Sequence, residues 1–376
     1  MARILILTAG FGEGHNTAAR CAGEALAALA PDVETKVIDP IALACPKLTA
    51  VTREAYLGII NHTPLIWKAV YEMADRCGND SHVAPGLGPA CTRLATEVAD
   101  FKPNVVITTY PVYVGFWEHL YPEEGPAPCP LVTVVTDSIT VNSIWARGRS
   151  DLWCVTDEGT AGRVRDLGVD ASRIRVTGFP VSPRLAEFRR EKAAPAAPEP
   201  FRLLWFPIAS KRHTTTWLRA LAALPSSPAW TCTVVLGKHK DNLRPMIEAA
   251  ISAKKLPPGT EIIGWTDQIP RLLNGHHAVL GKAGGATVHE ARTAARPMGI
   301  HYMVPGQEEG NALLLETENG GRLLRGPDDL AVLWDEWTRD GFAGWSSSHA
   351  SLLASAPPDP AHRLARLSLS LLSPTP

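Results

Sequence analysis

A chain of 376 residues exceeds what one hydrophobic core ordinarily organises and suits two domains of moderate size. With 45% hydrophobic and 20% charged residues it has the composition of a folded globular protein, not of a disordered or fibrous one. The formal net charge of −1 gives the whole molecule no pull toward nucleic acid, so any attraction to anionic lipid must come from a local patch.

The first strand, residues 3–8, begins with Ile4-Leu5-Ile6-Leu7, an apolar run too short for a signal peptide. It leads into Gly10-Phe-Gly12-Glu-Gly14-His15, after which Asn16-Thr17-Ala18-Ala19 opens a small-residue helix. Glycines there let a ligand approach the backbone closely. His15 sits at the helix start, where the dipole disfavours imidazolium and keeps the ring neutral, as a general base for a hydroxyl acceptor requires. Two other readings fit the same residues. His15 suits a capping or packing role, and the loop together with Asp39, closing a strand at 35–39, resembles a nicotinamide-cofactor site without its last glycine.

Residues 51–77 concentrate Tyr56, Leu57, Ile59, Ile60, Leu65, Ile66, Trp67, Val70, Tyr71 and Met73, with Lys47, Arg53, Lys68 and Arg76 among or beside them. The pattern suits a helix pair lying in a bilayer interface, or an ordinary amphipathic pair covering a sheet. Buried strands follow at 105–109, 131–136 and 152–156. A Pro/Ala-rich linker at 191–200 precedes a second series at 203–206, 231–236, 261–264, 278–280 and 299–302. Strands separated by helical stretches favour parallel sheets built from βαβ units. The expected fold is α/β, two Rossmann-like doubly wound lobes facing across a cleft. The expected boundaries are 1–190 and 201–345, with a helical segment at 346–376 packing across the lobes.

In the second series, Gly281-Lys282-Ala283-Gly284-Gly285-Ala286-Thr287-Val288-His289-Glu290 turns a strand into a helix. Backbone N–H groups at residues 285–287 suit a diphosphate, and Lys282 adds a positive charge. Glu290 suits ribose hydroxyls, although Thr287-x-x-Glu290 is equally a capping box. Next, Pro305-Gly306-Gln307-Glu308-Glu309-Gly310-Asn311 gathers amides and an acid suited to hexose hydroxyls, or forms a solvated turn. The seven cysteines (Cys21, Cys45, Cys77, Cys91, Cys129, Cys154 and Cys232) show no metal-ligand spacing and read as buried thiols. No stretch approaches the ~20 apolar residues of a spanning helix, so the expected location is cytoplasmic with peripheral membrane contact.

Together these segments resemble the monogalactosyldiacylglycerol synthase and processive diacylglycerol glucosyltransferase family, relatives of the lipid II N-acetylglucosaminyltransferase. The resemblance rests on Gly12-x-Gly14-His15-x-x-Ala18-Ala19, Thr136-Asp137 with Trp145, Gly178-Phe-Pro180-Val181-x-Pro183, Gly284-Gly285-x-Thr287-x-x-Glu290 and Pro305-Gly306-Gln307-Glu308-x-Gly310-Asn311. It implies a GT-B fold with the acceptor on the N-terminal lobe and a UDP-sugar on the C-terminal one. Transfer of a hexose to diacylglycerol or a related lipid would invert the anomeric centre without a metal or other cofactor. His15 would be the base. Gly14, Asp137, Asn142, Trp145 and Trp67 would lie on the acceptor side, against an anionic membrane surface. Gly284, Gly285, Ala286, Thr287, Glu290, Gln307, Glu308 and Asn311 would hold UDP-galactose or UDP-glucose, with Ser210, Arg212 and Trp265 beside them. A soluble or polyprenyl acceptor, or an epimerase on the same fold, is the alternative. The chain departs from the family twice. Asn142 stands where relatives usually show His, and Phe206-Pro-Ile-Ala-Ser210-Lys211-Arg212-His213 replaces a glycine-rich turn.

Overall fold

A computed structural model of the protein describes residues 1–10, 12–76, 82–186 and 200–372. The linker expected at 191–200 lies outside the described residues except for Pro200, as do Phe11 and Cys77. The chain forms two compact units, Met1–Pro183 with Val304–Gly310 and Asp359–Pro376, and Arg184–Met303 with Asn311–Pro358.

The first unit is built on six parallel strands: β1 (Arg3–Leu7), β2 (Glu34–Ile38), β3 (Val105–Thr108), β4 (Leu131–Val134), β5 (Leu152–Val155) and β6 (Ile174–Val176). They lie in the order β2-β1-β3-β4-β5-β6. The unbroken apolar run of β1 is what a strand covered on both faces requires. Ile4 and Ile6 join one core with Ala22, Leu26 and Leu364, while Leu5 and Leu7 join the opposite core with Leu94, Phe116 and Trp117. Leu364 belongs to the terminal helix Pro360–Ser370, which packs in this unit on the helix Glu13–Leu29. The strand order reverses between β1 and β3, the topological switch point where open α/β sheets bind ligands.

The second unit repeats the plan with β7 (Phe201–Trp205), β8 (Trp230–Val235), β9 (Glu261–Ile263), β10 (Ala278–Lys282), β11 (Met298–Tyr302) and β12 (Gly321–Leu323). The order is β12-β11-β10-β7-β8-β9, again all parallel, so its switch point lies between β7 and β10. One face is unusually aromatic: Phe201 stacks on Phe342 with ring centroids 6.0 Å apart, and Trp230, Trp334, Trp337 and Trp345 surround them. Seating Phe342 there breaks the long helix Pro327–Ser355 at residues 339–342. That helix runs through residue 346, where a separate C-terminal segment was expected. The strands β6 and β12 lie at sheet edges and were not read from the sequence. Each has three residues with an arginine at its centre, too short and too polar for an apolar run to register.

Candidate functional site

In the first unit the helix Glu13–Leu29 starts at the switch point, and Gly12, its N-cap, contributes no side-chain hydrogen bond. Asp39 fastens the glycine loop from outside. Its carboxylate accepts from Gly10 N at 2.9 Å and Ala42 N at 2.9 Å, and the Tyr113 hydroxyl lies 3.1 Å away. These contacts commit both carboxylate oxygens to the fold of the loop.

His15, the third residue of the helix, is half-buried and does not cap it. Its Nδ1 lies 2.6 Å from the Thr109 carbonyl, just past β3, and 3.0 Å from Thr136 Oγ1, just past β4. A carbonyl only accepts, so Nδ1 carries the proton and Nε2 is left as a bare lone pair. The pKa is lowered to about 4, chiefly because burial desolvates the imidazolium, with the Thr109 bond opposing. Burial therefore keeps this ring neutral, in the direction the helix start also favours.

The loop after β4 carries Asp137, whose Oδ2 accepts from Trp145 Nε1 at 2.7 Å. Burial pushes the Asp137 pKa up to about 6, the Trp145 bond opposes that rise, and the charge of Glu308 adds to it. Ile139, two residues on, has φ +50 with Thr140 N bonded to Ser138 O at 2.5 Å. A β-branched residue there costs about 1–3 kcal/mol and persists only where its surroundings over-determine it. Ile139 N donates to Thr160 Oγ1 at 2.8 Å, and Gly310 packs on the Ser138 carbonyl where any Cβ would overlap it.

The segment Val304–Gly310 belongs to this first unit. Glu308 is buried and accepts from Val304 N at 2.8 Å, closing the turn. Gln307 Oε1 accepts from Trp67 Nε1 at 3.2 Å, and Lys68 Nζ pairs with Glu309 at 2.9 Å. The helix pair expected within 51–77 is present as Pro46–His62 and Pro64–Arg76. Trp67, however, faces Gln307. The exposed apolar side chains are Val51, Ile59, Leu65, Ile66, Val70 and Met73. The side chains of Arg53, Tyr56, Leu57, Ile60 and Arg76 lie outside the described residues.

In the second unit, at the end of β10, Gly284 is the N-cap of the helix Gly285–Thr293 and no side chain caps it. Thr287 is inside the helix, so the capping box with Glu290 is not formed. The first N–H groups, at Gly285, Ala286 and Thr287, are left to a ligand. Asn311 is buried. Its Nδ2 donates to Ala283 O at 3.0 Å, while its Oδ1 has no partner among the described residues. An unsatisfied buried acceptor costs about 1–3 kcal/mol, which a ligand hydroxyl would remove. Across the switch point, Ser210 caps the helix Lys211–Ala222 by accepting from His213 N, and Arg212 stands exposed in its first turn. Trp265, two residues beyond β9, is 67% exposed.

Residues 15–181 match the family model described as "Monogalactosyldiacylglycerol (MGDG) synthase". The processive diacylglycerol beta-glucosyltransferase of Staphylococcus saprophyticus is 25% identical over 99% of this chain and 93% of its own length. Its Bacillus subtilis counterpart is 24% identical over 87% and 85%. The resemblance read from the sequence thus extends to these relatives at 24–25% identity. The crystal structure of Acinetobacter baumannii MurG, 13% identical, superposes with a TM-score of 0.62 over 98% of this chain and 100% of its own. The fold is thus the GT-B type, two Rossmann-like lobes.

Several of the residues singled out from the sequence hold the fold of these loops by internal hydrogen bonds. Trp145 is fully buried and Asn142 nearly so. Trp145 holds Asp137, while Asn142 accepts from Ile144 N and donates to the Tyr71 carbonyl at 3.2 Å. Both were expected on the acceptor side from the sequence; in the structure both are buried and hydrogen-bonded within the first unit. Ser210 likewise spends its hydroxyl on the helix cap. Sequence reasoning missed Thr109, which orients His15, and His301, a buried polar residue in β11 that bonds His213. A histidine inside an otherwise apolar strand was the available signal.

Proposed function

We propose that this protein is an inverting glycosyltransferase that moves a hexose from a UDP-sugar to a lipid acceptor, 1,2-diacylglycerol being the best fit. One observation carries the reading: His15 is neutral, tautomer-locked by Thr109, and aims a bare Nε2 from the ligand-binding edge of the first sheet. Such a ring takes the proton from an acceptor hydroxyl as that oxygen attacks the hexose anomeric carbon. The carbon–phosphate-oxygen bond breaks with inversion, UDP leaves with the electron pair, and the proton stays on His15. The helix start at residues 285–287 and Lys282 supply positive potential for the departing diphosphate. Glu290 holds the ribose, Gly284 lets the diphosphate close on the backbone, and Arg212 adds charge. Trp265 offers its exposed ring to uracil, Asn311 takes a hexose hydroxyl, and Gln307 and Glu308 shape the hexose end. Gly14 and Asp137 face the acceptor.

The reading assigns no role to a metal, so transfer should proceed at an unchanged rate in excess EDTA. The exposed apolar set on the helices Pro46–His62 and Pro64–Arg76 is proposed to meet an anionic membrane surface at the inner face of the membrane. The deciding experiment incubates the protein with diacylglycerol vesicles and, separately, UDP-galactose, UDP-glucose and UDP-N-acetylglucosamine, identifying lipid products by mass. A glycosyl-diacylglycerol from one of the hexose donors is expected. No product from any donor, with no uridine nucleotide binding by calorimetry, would falsify the reading.

A further inference from the structure

A second imidazole is locked as firmly as His15, and nothing above gives it a task. His301, in β11, is buried, and its Nε2 lies 3.1 Å from the Phe206 carbonyl just past β7. That nitrogen must carry the proton, so His301 Nδ1 is an acceptor. His213 Nε2 lies 3.0 Å from it and must in turn be the donor. His213 Nδ1 is then a lone pair with no partner among the described residues. The His213 ring is half-buried, with Tyr302 edge-on at 5.5 Å and Trp217 at 6.0 Å. Burial lowers the pKa of both rings, His301 to about 3, so the arrangement is that of two neutral imidazoles.

Its position gives this lone pair a use. His213 is the third residue of the helix that starts at the second sheet's switch point, where open α/β sheets bind ligands. A locked imidazole nitrogen offers an acceptor, which suits a hydroxyl and repels phosphate oxygen.

We infer that His213 is a specificity-determining residue of the donor site, accepting a hydrogen bond from a sugar hydroxyl of the nucleotide-sugar, with His301 as its positioning residue. The inference rests on the UDP-sugar reading proposed above. The test is calorimetric titration of UDP and UDP-glucose into the unmodified protein, His213→Phe and His213→Asn. Phenylalanine keeps the ring packing and removes both nitrogens, whereas the asparagine side chain restores an acceptor near the Nδ1 position.

For a hexose hydroxyl, His213→Phe should weaken UDP-glucose about five- to tenfold and leave UDP unchanged. For a ribose hydroxyl it should weaken both alike. His213→Asn should recover most of the loss in either case. Equal affinities of the unmodified protein and His213→Phe for both ligands, or a loss that His213→Asn does not repair, would overturn the inference while the donor reading stands. Binding of neither nucleotide by the unmodified protein would sink the donor reading and this inference with it.

Discussion

At the scale of single residues, His15 and Asp137 divide the pH axis between them. His15 is neutral in the folded protein down to about pH 4, so the proposed base stays available through the mildly acidic range. Asp137 takes up a proton near pH 6. The expected kcat/KM profile holds an acid limb near 4 from His15, and a second inflection near 6 if the charge state of Asp137 affects acceptor binding. His15→Ala should lower kcat by about 10²–10⁴-fold, the usual worth of a general base. Because His15 belongs to the first sheet, UDP affinity measured by calorimetry should not change. A parallel loss of UDP binding would mean that the substitution disturbs more than proton transfer.

At the scale of elements, each sheet places its chemistry with the start of a helix at its switch point, and the loops around it are fixed by side chains and close approaches. Gly310 shows this best. It has no room for a methyl group against the Ser138 carbonyl, and that carbonyl belongs to the strained turn at Ile139 beside Asp137. Gly310→Ala should therefore displace the Thr136–Asn142 turn and cost about 1–3 kcal/mol, as overpacking does. Thermal unfolding should register that loss, and transfer activity should fall by more than stability alone explains. Full activity with an unchanged Tm would show that this contact does not position the site.

For the whole molecule, buried histidines set the acid tolerance. His15, His277 and His301 titrate near 4, 3 and 3 in the folded chain, each held down first by burial, against an ordinary value of 6.5. Between those values the unfolded chain binds more protons than the folded one, so stability falls as pH drops below about 6.5 and keeps falling toward 3. Asp137 works in the opposite direction between about 4 and 6, but it is one group against these three histidines and against His213, His239, His276 and His289, whose pKa values burial also lowers. Denaturant midpoints measured from pH 7.5 to 4.5 should decline steadily, and a flat profile would contradict the burial of these rings. The exposed apolar set predicts that the protein pellets with anionic liposomes at low salt and that Leu65→Ser with Ile66→Ser does not. Trp67 is left intact in that variant because its indole holds Gln307. No helix among the described residues is long and apolar enough to cross a membrane.

The sequence alone determined the two series of buried strands, the glycine turns that end β1 and β10, and the order of motifs that carries the family resemblance. These are local signals, because a strand covered on both faces must be apolar throughout and a chain entering a helix beside a ligand needs glycine. Only the tertiary structure decided which polar side chains are spent on the fold. Asp39, Asn142 and Trp145 are polar candidates like His15, and their hydrogen bonds to Gly10, Tyr71 and Asp137 join residues 29, 71 and 8 apart, which spacing does not reveal, whereas the Ser210 cap on His213 N spans three residues and is local. The neutrality of His15 was expected from the helix dipole; burial against β3 and β4 acts in the same direction, and burial exists only once strands distant in sequence lie side by side.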